Sequence, residues 1–141
     1  GLSSVDSDML CHALPAGIVC VQNLYNLLDR ADRPVLEVCR ENGIAWVPFF
    51  PLGSAIPGSR NVLAEPAVID IAARLGVTPA QVGLAWLLAH DSSTLLIPGT
   101  ASVDHLRENV ASVFVELDDS AMAVLDGLAP TAPPQAGASS S

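Results

Sequence analysis

Pro34-Val35-Leu36-Glu37-Val38-Cys39-Arg40-Glu41-Asn42-Gly43-Ile44-Ala45-Trp46-Val47 is the stretch that decides the fold class. Proline sits in the first turn of a helix and glycine at its end, both favoured positions. The chain then passes at once into Ile44 to Val47, a short run that is apolar on both faces. A strand of that kind is covered on both sides, as in a parallel sheet with crossover helices. Ile18 to Val21 and Leu95 to Ile97 read the same way, so the class is α/β, with Gly1 to Ser3 as the end of a further strand.

The remaining elements fit between these runs. A short helix spans about Ser7 to Leu14, and a polar loop, Asn23 to Arg33, follows the first complete strand. A Gly/Pro/Ser loop runs from Phe49 to Asn61, before a helix with Val68, Ile71, Ala72 and Leu75 on one face and Gly76 as its stop. Thr78-Pro79-Ala80-Gln81 is a capping box that opens a helix to about His90, apolar nearly all round and so deeply packed. Ser102 caps a helix with Val103, Leu106 and Val110 on its inner face, and Asp118 caps a last one carrying Ala121, Val124, Leu125 and Leu128. Residues 1–128 form the folded unit, and residues 129–141, rich in Pro, Ala, Gly and Ser, are expected to be a disordered tail.

Composition removes several functions. Of 141 residues, six are Arg and none is Lys, against fifteen Asp and Glu, for a net charge of −9. No basic stripe exists to neutralise a run of phosphates, so nucleic acid is not an expected partner. Without lysine there is no Schiff base and no P-loop. Mean hydropathy is +0.45, yet the longest apolar stretch, Ile44 to Pro57, is broken by Pro48, Pro51, Gly53 and Pro57, so no membrane span is expected. The start lacks a basic region followed by an apolar one, which reads as a fragment or processed start of a cytoplasmic protein. Cys11, Cys20 and Cys39 form no C-x-x-C and read as reduced thiols. His12, His90 and His105 are scattered, no metal constellation forms, and no G-x-S-x-G elbow is present.

Five short stretches carry a resemblance: Val21-Gln22-Asn23-Leu24-Tyr25-Asn26, Cys39-Arg40-Glu41-Asn42-Gly43-Ile44-Ala45, Pro51-Leu52-Gly53-Ser54, Ile97-Pro98-Gly99-Thr100 and Leu106-Arg107-Glu108-Asn109. In order and spacing the chain resembles the C-terminal half of an aldo-keto reductase, from Gly1 to about Leu128. The resemblance implies half of a (β/α)8 barrel and a carbonyl reductase that takes hydride from NADPH. It also implies a catalytic tetrad of Tyr, Lys, Asp and His.

Carried over by position, Ser3 and Gln22 would hold the nicotinamide carboxamide, and Phe49 would lie under the ring. Ser4 departs from the family's usual Asn. Leu52, Ser54, Gly99 and Thr100 would lie along the pyrophosphate and adenosine, with His105, Glu108 and Asn109 toward the adenine end. These positions fall at strand ends and in the loops after the last two strands, where barrels build their sites and bind phosphate. Many relatives hold the 2′-phosphate with Lys and Arg; Gly99 and His105 stand there here, so NADH remains an alternative to NADPH.

The family places its tetrad in the first half of the barrel, upstream of Gly1. No Lys is present, and the one Tyr, Tyr25, belongs to the Asn-Leu-Tyr-Asn loop. This chain alone is therefore expected to supply no catalytic residue and to be inactive. Three readings stay open: a split reductase completed by a half-barrel partner chain, a half barrel that closes on a twin as a homodimer and binds a dinucleotide without chemistry, and an inactive truncated remnant.

Overall fold

The computed structural model describes residues 1–53 and 60–128. Three parallel strands, β1 (Leu2–Ser3), β2 (Cys20–Gln22) and β3 (Ala45–Trp46), pair in the order β1-β2-β3. Leu2 faces Val21, and Val21 faces Trp46. The helices α1 (Ser7–Ala13) and α2 (Arg33–Glu41) alternate with the strands, and α3 (Pro66–Leu75), α4 (Pro79–His90), α5 (Val103–Ala111) and α6 (Asp119–Asp126) all follow β3. The α/β class with parallel strands is what the Pro34–Val47 stretch predicts.

The expected strand at Leu95 to Ile97 is reduced to a single parallel bridge, Trp46 to Thr94. Trp46 N–H donates to the Ser93 carbonyl at 3.2 Å, and Leu95 N–H to the Trp46 carbonyl at 2.8 Å. Pro98 has no N–H to extend the ladder. Among the described residues no strand pairs on the far side of this segment, so it forms an edge without a second ladder to straighten it.

The two faces of the sheet differ. Val21 and Trp46 are fully buried on the face toward the helices, where Leu10 of α1, Val82 and Trp86 of α4, and Leu125 of α6 join them in one core. On the other face stand Ser3 and Gln22, side by side in register, with Ala45, and Leu95 is 57 % exposed and Ile97 45 %. The sequence reading expected cover on both sides of each strand; within the described residues only one side has it.

Local signals fixed most helix ends. Thr78 Oγ1 accepts from Gln81 N–H while Gln81 Oε1 accepts from Thr78 N–H, completing the capping box. Ser102 accepts from His105 N–H, and Asp118 from Ala121 N–H. Gly76 ends α3 at φ 68°, a left-handed turn that favours glycine. Arg74 also grips Asp118; that ion pair, with the capping amide, holds the Asp118 carboxyl down at about 2. The inner face expected for α5 is not buried: Val103, Leu106 and Val110 are all more than half exposed, because no described element packs on that side.

Around Trp86 the core is aromatic and cationic. Its ring stacks on Tyr25 at 6.3 Å, Arg30 lies 4.5 Å above it, and its Nε1 donates to Asp126 at 2.9 Å. Arg30 spends all three guanidinium nitrogens on the carbonyls of Leu27, Leu125 and Asp126, tying the end of α6 to the loop after β2. Arg40 clamps buried Asp91 at 2.8 Å. Burial would raise the Asp91 carboxyl, but the Ser93 hydroxyl and amide together with Arg40 outweigh it and hold it below the usual range. Cys39 is buried and Cys11 exposed, with Cys20 between; burial pushes the Cys39 thiol up to about 11.

Candidate functional site

The loops at the C-terminal ends of β2 and β3 are built by two buried asparagines. Asn23 accepts from Val5 N–H and donates to the Val5 carbonyl and to Asp32, latching the chain after β1 to the start of α2. Burial raises the Asp32 carboxyl, against the lowering effect of that Asn23 bond. Asn26 accepts from the Leu28 and Asp29 amides and donates to the Phe50 carbonyl at 3.1 Å. That bond helps hold Phe50 at φ 52°, a left-handed conformation uncommon for an aromatic residue. Phe49 is thereby set past the end of β3, its N–H donating to the Asn23 carbonyl at 2.9 Å.

Two glycines bring the next segment close. At Gly53, φ is 96° and a Cβ would stand 2.8 Å from the Arg60 carbonyl oxygen, so only glycine fits. At Gly83 on α4 a Cβ would meet Leu52 and Val62 at 2.9 Å each. The missing side chain lets Leu52 lie directly against the helix.

Between these loops and α5 lies an open cavity of about 700 Å³. Phe49, Phe50 and Leu52 form one wall, Leu63 with Pro79 another, and Ile97 to Thr100 a third. His105, Glu108 and Asn109 on α5 close the far end. Gln81 on α4 donates to the Glu108 carbonyl at 3.2 Å, fixing the two helices that flank the cavity. Ser102 already engages the His105 amide, which leaves the Val103 and Asp104 amides in the first turn of α5 without an intrahelical acceptor. A helix N-terminus of this kind favours an anion. Arg107 is paired with Asp104 at 3.0 Å.

Seven positions singled out from sequence line this one cavity: Phe49, Leu52, Gly99, Thr100, His105, Glu108 and Asn109. Ser3 and Gln22 do not; they sit as register neighbours on the open face of the sheet. Ser54 lies outside the described residues, as does the tail 129–141. Sequence reasoning missed Leu63, Thr78 and Ala80 as cavity lining. The capping box at Thr78 was legible as a helix start, but that the same turn walls a cavity depends on the Gly83 contact. Tyr25 takes no part: it is buried between Trp46 and Trp86, where burial raises its phenol above the usual value. Among the described residues no three His, Cys, Asp or Glu gather as metal ligands. No single described helix is long and apolar enough to cross a membrane.

Comparison with known proteins bears on the same stretches. Pyridoxine 4-dehydrogenase of Escherichia coli (strain K12) is 47 % identical over 129 residues, covering 91 % of this chain and 43 % of that protein. Methylglyoxal reductase YeaE from the same organism is 32 % identical over 131 residues, covering 89 % and 46 %. The chain thus spans less than half the length of these relatives. An aldo-keto reductase from Klebsiella pneumoniae, solved in complex with NADPH, superposes with a TM-score of 0.78 at 30 % identity, over 96 % of this chain and 48 % of that one. The model of the aldo/keto reductase family matches residues 1–130. Its sequence and its parallel βα architecture agree on one assignment: this chain belongs to the aldo/keto reductase family, a family of oxidoreductases.

Proposed function

We propose that this chain is the dinucleotide-binding half of an NADP(H)-dependent carbonyl reductase, the C-terminal four βα units of a (β/α)8 barrel. The observation that carries the reading is the convergence of Phe49, Leu52, Gly99, Thr100, His105, Glu108 and Asn109 on one cavity at the strand ends. The residues present suit the cofactor. The first turn of α5, between the lining residues Thr100 and His105, suits a phosphate, the Leu63, Pro79 and Ile97 walls suit flat apolar surface, and the Asn109 amide suits a base edge. The likeness to a relative solved with NADPH supports the same cofactor here.

When bound, the nicotinamide supplies the hydride. Phe49 would give its ring a stacking surface, and Gln22 and Ser3, neighbours across β1 and β2, would bind its carboxamide. Ser54 is assigned to the same site by position. The chain has no Lys, and its one Tyr, Tyr25, is held in the core away from the cavity, so on this reading the acid that protonates the carbonyl oxygen comes from outside this chain. Reduction then needs a first half barrel that supplies the acid and covers the open face of the sheet, as a partner chain or a contiguous segment.

Titration of the 141-residue chain with NADPH, with NADH as comparator, tests this by the cofactor's own emission. Saturable binding tighter than about 100 µM is expected. Gly99→Val is the control: a side chain there meets nothing within 4 Å, so it fills cavity space while the fold stays intact. Binding should weaken with no change in thermal stability; no binding of either nucleotide, or equal binding by Gly99→Val, overturns the reading.

A further inference from the structure

Three of the six arginines, Arg30, Arg33 and Arg40, line one small groove of about 120 Å³ between α2 and α4, on the helix-covered side of the sheet. None of its residues lines the cavity at the strand ends. Arg33, Leu36, Glu37 and Arg40 fall at i, i+3, i+4 and i+7 along α2, and Trp86 and His90 face them from α4. In a chain of net charge −9, this concentration of positive charge needs an account.

Arg30 needs none, since its three nitrogens are committed to backbone carbonyls. The other two keep donors to spare. Arg33 engages Glu37 through Nε alone, at 3.2 Å, leaving both Nη groups. Arg40 uses Nε on Asp91 and Nη2 on the His90 carbonyl, leaving Nη1. Into the same groove opens Tyr25, only 4 % exposed, whose hydroxyl lies in the fields of Arg30, Arg33 and Arg40. Among the described residues no group hydrogen-bonds to that hydroxyl. The hydroxyl is not among the buried polar atoms that lack a partner; it opens to the groove, where it is free to donate to a bound group. His90 engages Asp126 through Nε2 at 2.9 Å and keeps Nδ1. The negative groups are Glu37 in the groove wall, and Asp91 and Asp126 behind Arg40 and His90.

We propose that this groove is an oxyanion site for a phosphate group, held by the spare Nη donors of Arg33 and Arg40 and by the Tyr25 hydroxyl. Planar guanidinium forks match tetrahedral oxyanions, and a neutral phenol adds one directed donor. Arg33 and Arg40 are each more than half exposed at the side chain, so solvent screening keeps the affinity on the order of millimolar. The chemistry is shared by free phosphate and by a phosphomonoester.

The test is calorimetric titration of the 141-residue chain with inorganic phosphate and, separately, glycerol phosphate, each against sodium chloride at matched ionic strength. Saturable binding of one or both is expected, and the tighter arm identifies the source. Arg33→Gln should weaken it about tenfold and Tyr25→Phe about threefold, while Glu37→Gln, which removes the competing carboxylate, should tighten it about threefold. Circular dichroism confirms that each variant folds. A chloride response equal to that of phosphate overturns the proposal. So does binding that all three substitutions leave unchanged, which would place the anion at the start of α5.

Discussion

The two faces of the sheet carry similar sequence and meet different fates. Toward the helices, Val21 and Trp46 are sealed by α1, α4 and α6, and Trp86 is held by a stack, a cation and a hydrogen bond. On the other face Leu95 and Ile97 stand open, and Val103, Leu106, Val110 and Phe114 leave α5 and the turn after it uncovered. The contrast separates stability from site-building. One face holds the chain together, whereas the other presents the strand ends on which a cofactor would rest.

Substitutions on the two faces should therefore differ in scale. Trp86→Ala removes the centre of the closed face and should cost about 3–5 kcal/mol in urea unfolding. A cost below about 1 kcal/mol would mean that the faces do not differ as described. Gly83→Ala joins core to cavity, because its methyl group meets Leu52 and Val62 at 2.9 Å. It should cost about 1–3 kcal/mol by overpacking and should also weaken nucleotide binding, read by unfolding and titration of the same variant.

Asp91→Asn tests the polar edge of the closed face, with an expected cost of about 1 kcal/mol once the half-exposed Arg40 is discounted for screening. Its pH dependence has a fixed sign. The folded-state pKa of Asp91 lies below the unfolded one, so its contribution is complete above the unfolded value of about 3.9 and is lost as pH falls through the lower folded value. Wild type should lose stability over that acid range more steeply than Asp91→Asn, as thermal melts from pH 6 to pH 2 would read. Smallest of all, Leu95→Ser and Val110→Ser on the open side should each change stability by less than about 0.5 kcal/mol. A larger cost would show that something covers those residues in solution, and light scattering would identify a second copy.

What was legible in the sequence was what neighbours decide. The capping box at Thr78, the caps at Ser102 and Asp118 and the stop at Gly76 depend on residues within one turn, and all hold. The switch from helix to strand at Gly43 was equally local, and it sufficed for the α/β class. Expectations that needed a distant partner fared differently. Leu95 to Ile97 has strand composition but one bridge, and the apolar side of α5 has no described element against it. For the site, the family resemblance gathered seven residues that no periodicity would have grouped. It offered nothing on the wall at Leu63 and Ala80, because that wall depends on the close approach at Gly83. The roles of Asn23 and Asn26 as loop-shaping residues were readable; their partners, Val5 and Phe50, are 18 and 24 residues away and were not.

The lone bridge between Trp46 and Thr94 also sets an order in time. Amides of β2 lie between two ladders and those of β3 between a ladder and that bridge, both under a full core, so solvent deuterium is expected to reach them only when the whole unit opens. Beyond Leu95, whose N–H holds the Trp46 carbonyl, Leu96 and Ile97 have no neighbouring strand among the described residues, and their segment can open alone. The border of the cavity is thus the first part of the sheet to breathe, and whatever settles there slows the exchange of that edge before it alters the core.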